Sequence, residues 1–123
     1  MVAQMELSDE EVDRVFHALA DATRRDIVRR TIAGEHSIST LAADYDMSFA
    51  AVQKHIGVLE RAHLIVKRAD GRERLIRADP TMIARARALL ARYEDLWRQR
   101  IDRLDALLAQ DPRQSHTTPE ESE

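Results

Sequence analysis

The 123-residue chain has no cysteine and only three glycines and three prolines. Without cysteine there is no disulfide, no thiolate metal site and no thiol redox sensor. The three scattered glycines leave no Gly-rich loop to cradle a phosphate. Enzyme chemistry finds nothing else to stand on: there is no thiol nucleophile, and no histidine has carboxylate and serine partners in a recognisable pattern. No apolar run approaches membrane-spanning length, and the N-terminus lacks the apolar stretch of a signal peptide, so a soluble cytoplasmic protein with no membrane partner is expected.

What is present fits one small domain. With 44% hydrophobic residues the chain can fill a single core. Charged residues make up 33%, and the formal net charge of -3 argues weakly against a nucleic-acid partner. The distribution argues the other way. From Met1 to Thr23 the acids Glu6, Asp9, Glu10, Glu11, Asp13 and Asp21 face Arg14 alone. From Ser48 to Ala78 the sign reverses: Lys54, Arg61, Lys67, Arg68, Arg72, Arg74 and Arg77 face only Glu60, Asp70 and Glu73. A basic patch inside an acidic chain is an electrostatic footprint.

The order of elements follows from caps and periodicity. Ser8-Asp-Glu-Glu starts a helix, with a hydroxyl cap and acids at the positive end of the dipole; Val12, Val15, Phe16 and Leu19 form its stripe, to about Ala20. Asp21 caps a second helix carrying Ile27, Val28 and Ile32, which Gly34 ends. A short extended piece is expected around Ser37-Ile38, then a third helix from Thr40 to Tyr45 capped by Ser39. Ser48 caps a fourth, with Val52, Ile56 and Leu59 turned inward. Two extended runs then flank Asp70-Gly71, a hairpin signal, with Leu64, Val66 and Leu75 on the inner side. Asp79-Pro80 opens a last helix reaching about Gln110. Residues 1–110 are read as the domain and 111–123, polar and proline-containing, as a disordered tail.

A short helix, a tight turn, a second helix and a basic hairpin make a winged helix-turn-helix: mainly α with a small β-hairpin and a long C-terminal dimerisation helix. The fourth helix is narrow enough for a B-DNA major groove. Its outer face is small, polar and nearly free of carboxylates, as close approach to DNA requires. The expected DNA contacts are Ser48, Phe49, Ala50, Gln53, Lys54 and Gly57 on the helix 48–62, and Arg68, Arg72 and Arg74 on the wing 65–78. Ala50 and Gly57 leave room, Gln53 suits an adenine edge, and Lys54 reaches phosphate or guanine. His55, beside the buried positions, reads as a packed histidine bonded to backbone. Arg24 and Arg25 read as partners of Asp21 or the acidic first helix, with phosphate contact as the alternative. Met82, Ala86, Leu89, Tyr93, Leu96 or Trp97, Ile101, Leu104 and Leu108 recur every three or four residues, a seam long enough to ask for a partner helix.

The segments "ALADATRRDIV" and "VQKHIGVLERAHLI" resemble the ArsR-type bacterial repressors, and the likeness covers about Val15 to Asp79. It implies repression of a promoter, released on a signal, by a homodimer whose first and last helices pack across a two-fold axis. The implied interface is Val12 and Phe16 with Leu89, Tyr93, Leu96, Trp97, Ile101, Leu104 and Leu108. Two departures stand out. Relatives usually carry glycine where Ala62-His63-Leu64 stands, at the exit of the fourth helix, and histidine tolerates a positive φ better than most residues. The third helix reads "STLAADY" and the last contains no histidine, so the usual metal ligands are missing. His17, His36, His63 and His116 are scattered, with no pair at ligand spacing. No cofactor is expected. The expected partners are double-stranded DNA, bound at a palindromic operator, and a second copy of the chain; the effector is unnamed. Two other readings stay open: a protein-interaction module using the long helix, and a metal-responsive repressor with non-cysteine ligands, including a zinc site built across a dimer.

Overall fold

A computed structural model describes residues 6–110; the expectation for 111–123 lies outside them. The elements run α1 (Asp9–Leu19), α2 (Ala22–Ala33), β1 (His36–Ser37), α3 (Ile38–Ala43), α4 (Phe49–Arg61), β2 (Ile65–Asp70), β3 (Glu73–Ala78) and α5 (Pro80–Gln110). They form two compact units, which divide within α5 after Ala88.

Each helix starts where a polar side chain satisfies the first free amides. Ser8 Oγ accepts from the Glu11 amide at 3.1 Å while Glu11 Oε1 accepts from the Ser8 amide at 2.8 Å, a complete capping box. Asp21 caps α2 by accepting from the Arg24 amide, and Ser48 caps α4 by accepting from the Ala51 amide. Asp79 Oδ1 accepts from the Thr81 amide at 3.0 Å, with Pro80 in the first helical position. The third helix departs from expectation. Its cap is Ser37, not Ser39, because Ser37 Oγ accepts from the Thr40 amide and donates to Thr40 Oγ1, so α3 starts at Ile38 and ends at Ala43.

The core of the first unit joins Val15 and Ala18 of α1, Ile27 and Val28 of α2, Leu41 of α3 and Val52, Ile56 and Leu59 of α4. Beneath them lie Ile65, Ile76 and Met82. Three inward assignments shift by one position. In α2 it is Thr31 that is buried, its hydroxyl donating to the Val28 carbonyl at 2.9 Å, while Ile32 is 57% exposed. In the hairpin Ile65 and Ile76 point inward, while Val66 and Leu75 are half-buried. Leu64 is buried from the turn before β2. Met82 is core and Ala86 packs against it, so the two residues read as the start of the α5 seam belong to this body.

The sheet has three strands rather than two. β3 pairs antiparallel with β2, from Ile65 opposite Ala78 to Asp70 opposite Glu73, and on its other edge with β1, Ser37 opposite Leu75. The loop is therefore Gly71-Arg72, with Gly71 at φ 63° leading, and Arg72 stands at the wing tip. At the exit of α4 the Leu64 amide reaches the Leu59 carbonyl at 3.0 Å and the His63 amide reaches that of Glu60 at 2.9 Å. With His63 at φ 63° this is a Schellman stop built on histidine instead of glycine.

In the second unit, which begins at Leu89, every residue from Leu90 to Gln110 is exposed. Tyr93, Leu96, Trp97, Ile101, Leu104 and Leu108 recur at helical spacing, joined by Leu90 and Leu107, which the sequence reading left out. Glu94 and Arg98 form an i,i+4 pair at 2.8 Å. No helix among the described residues is long and apolar enough to cross a membrane.

Candidate nucleic-acid interface

The face of α4 follows from which side its apolar residues bury. Val52, Ile56 and Leu59 lock one side into the core, and the opposite side presents Ser48, Phe49, Ala50, Gln53 and Lys54, all exposed. Gln53 and Lys54 have no hydrogen-bond or ion-pair partner among the described residues, so their polar ends are available. The one acid in α4, Glu60 in the last turn, is held by Lys67 at 3.3 Å. Gly57 is half-buried: a Cβ there would lie 3.4 Å from Arg61 Nη1, so the room expected for DNA is flanked by that guanidinium.

The wing divides in two. Arg72 and Arg74 are exposed and unpaired among the described residues. Arg68 gives both arms of its guanidinium to Glu35, Nε at 2.8 Å and Nη2 at 2.9 Å, and this holds the Glu35 carboxyl below its ordinary range. Arg68 must therefore exchange partners to reach a phosphate.

Behind α4 a set of side chains braces that helix, and here two expectations are corrected. Arg24 does not pair with an acid through its side chain. Its Nε donates to the Ala18 carbonyl at 2.8 Å and its Nη2 to that of His17 at 3.1 Å, closing the free C-terminal end of α1. Its Nη1 donates to His55 Nδ1 at 3.1 Å, so His55 is fixed by a side chain of α2 and not by backbone. Arg25 likewise donates to the Leu19 carbonyl at 2.8 Å. One guanidinium thus ties α1, α2 and α4 together.

A second brace sets the turn between α3 and α4. Tyr45 donates to Asp26 Oδ2 at 2.5 Å, Arg29 also bonds Asp26, and Arg30 pairs with Asp44 at 2.7 Å while lying 5.7 Å over the Tyr45 ring. The Tyr45 hydroxyl and then Arg29 hold the Asp26 carboxyl below its ordinary range, and burial pushes the Tyr45 hydroxyl up. The first brace was hidden because nothing in the sequence says which of two adjacent arginines turns back onto a helix end. The Glu35–Arg68 pair was hidden because its partners lie 33 positions apart and meet only through the sheet.

Among the described residues no three His, Asp or Glu side chains gather in a way that could hold a metal ion. His36 Nε2 lies 3.1 Å from the Arg30 carbonyl, and His116 is outside the described residues.

Comparison with known proteins places this geometry. Residues 19–68 match the model of a helix-turn-helix domain family. The HTH-type transcriptional regulator Rv2034 of Mycobacterium tuberculosis is 42% identical over 81 residues, which are 66% of this chain and 76% of that protein. The crystal structure of an ArsR family transcriptional regulator, RHA00566, superposes with a TM-score of 0.68 at 32% identity, covering 76% of this chain and 96% of that one. The homodimeric winged helix-turn-helix DNA-binding domain of Mb0332 from Mycobacterium bovis superposes with a TM-score of 0.58 at 25% identity, covering 72% and 88%.

Proposed function

The chain belongs to the ArsR-type winged helix-turn-helix transcriptional regulators, and from that premise we propose that it is a homodimeric repressor of a roughly palindromic operator. The observation that carries this is the outer face of α4. It is exposed and free of carboxylates from Ser48 to Lys54, its Gln53 and Lys54 are unpaired, and the unpaired Arg72 and Arg74 lie on the wing. In a two-fold pair, each α4 would enter one of two successive major grooves about one helical turn apart. Gln53 would read an adenine edge, and the T-methyl group suits Phe49 and Ala50. Lys54, Arg68, Arg72 and Arg74 would neutralise phosphates, positioning the reading helices. The homodimer is supported by the unpartnered apolar stripe on α5 from Tyr93 to Leu108, with Leu89, and by the homodimeric state of the Mycobacterium bovis relative. Val12, half-buried, and Phe16, 44% exposed, are the α1 residues proposed to join that interface.

The test is fluorescence anisotropy with DNA from the protein's own upstream region against scrambled DNA, over a salt series. Four phosphate-binding side chains per protomer give about eight per dimer, hence a log–log salt slope of roughly -7. Lys54→Ala should weaken binding and flatten that slope by about 2. Equal, weak binding to both DNAs and to every other genomic fragment would overturn the reading.

A further inference from the structure

A groove of about 470 Å³ lies within the first unit, between the end of α2, the root of the wing and the first two turns of α5. That volume is in the range of sites for small organic ligands. Its walls are apolar: Ile32, Pro80, Ile83 and Ala84 line it, and Ile32 leaves 57% of its surface uncovered. Its polar groups are unbalanced. The carboxylate of Glu35 already accepts both arms of Arg68. Arg77 has one long bond, 3.4 Å to the neighbouring Ala78 carbonyl, and Arg87 has no partner among the described residues. Arg77 also lies close enough to Glu35 for its charge to help lower that carboxyl, yet most of its donors and all those of Arg87 are unused, and two such guanidiniums beside an aliphatic wall call for a ligand with an anionic head and a hydrocarbon body. With Glu35 neutralised by Arg68, the head group would meet only Arg77 and Arg87, and the two oxygens of a carboxylate suffice to accept one donor from each.

We propose that this groove is a binding site for a small amphipathic carboxylate, with the head on Arg77 and Arg87 and the chain along Ile32, Ile83 and Ala84. It lies at the base of the wing: Arg77 and Ala78 end β3, and rim residue Glu35 holds Arg68 of β2. An occupant therefore sits where Arg68 of the wing is anchored.

The experiment is calorimetric titration of the full chain, without DNA, using decanoate below its micelle-forming concentration. Decanol and decylammonium serve as controls. Saturable binding of one decanoate per chain is expected, with decylammonium not binding. Arg77→Gln and Arg87→Gln should each weaken it about tenfold, the loss of one charge-assisted hydrogen bond. Ala84→Trp, which fills the groove from its exposed side, should abolish it. Unchanged thermal melts show that these surface variants fold. Heats that never saturate, equal binding of decylammonium, or unchanged affinity in both arginine variants would overturn the site. Because no DNA is present, failure here leaves the repressor reading intact, and failure of that reading leaves this site intact.

Discussion

Arg24→Met separates a brace from a phosphate contact. The substitution keeps the aliphatic stem and removes three donors, two on the last carbonyls of α1 and one on His55. A hydrogen bond from a charged donor contributes about 1.5–3 kcal/mol when its acceptor is shielded from water. Here the sites are only partly shielded, and the three bonds share one side chain, so the sum is well below three times that figure. A loss of about 2–3 kcal/mol is expected. For a domain of this size each kcal/mol moves Tm by about 4 °C, giving a fall of roughly 8–12 °C in a circular-dichroism melt. All variants must be compared at one protein concentration, since association raises Tm by mass action. Arg24→Lys, whose single ammonium cannot span the three acceptors, should recover about a third of the loss. DNA affinity measured well below the melting range should keep its salt slope in Arg24→Met. An unchanged Tm together with weaker DNA binding and a flatter slope would refute the brace and make Arg24 a phosphate ligand.

His63→Gly should stabilise the protein by about 0.5–1 kcal/mol, because a left-handed backbone at φ 63° strains histidine and not glycine; chemical denaturation reads this as a higher midpoint at constant slope. The Asp26 carboxyl is held below its ordinary 3.8 chiefly by the Tyr45 hydroxyl, so its contribution is present above that pH and is lost as pH falls through the lowered value. Asp26→Asn should therefore be less stable at pH 7 and show a shallower acid limb in melts from pH 6 to pH 2; an unchanged acid limb would count against the Tyr45 bond. Trp97→Glu places a charge in the α5 stripe and should weaken self-association by about 30-fold or more, seen as a shift toward monomer in sedimentation velocity.

The parts of the fold legible in the sequence are those set within one helical turn. Ser8, Asp21, Ser48 and Asp79 each cap by reaching an amide two or three residues away, so residue type and position suffice. Where two hydroxyls compete at short range, local rules fail. Ser37 wins over Ser39 because its hydroxyl meets both the amide and the hydroxyl of Thr40, while Ser39 is left exposed on the helix. Periodicity also carries a one-position ambiguity. In α2 both Thr31 and Ile32 fit the stripe; position 31 is the buried one, and threonine is accommodated there because its hydroxyl bonds back to Val28. The two faces of α4 were legible because its inner residues Val52, Ile56 and Leu59 repeat regularly and its outer ones lack acids; that the outer face reads DNA is the proposal. The partners of the arginines were not: Arg24 and Arg68 are each satisfied by groups that only tertiary folding brings near.

The residues proposed to read DNA and most of those proposed to pair two copies lie in separate stretches of chain, Ser48 to Arg74 and Leu89 to Leu108. This has a genetic consequence. An allele damaged at Gln53 or Lys54 would still assemble, since its α5 stripe is untouched. Coexpressed in equal amount with the intact allele, it would leave only about a quarter of the dimers with two working heads. Each mixed dimer would hold an operator by one half-site. Such lesions should behave as dominant, whereas lesions at Trp97 or Leu104, which shift the damaged chain toward monomer and leave the intact chains to pair with each other, should be recessive.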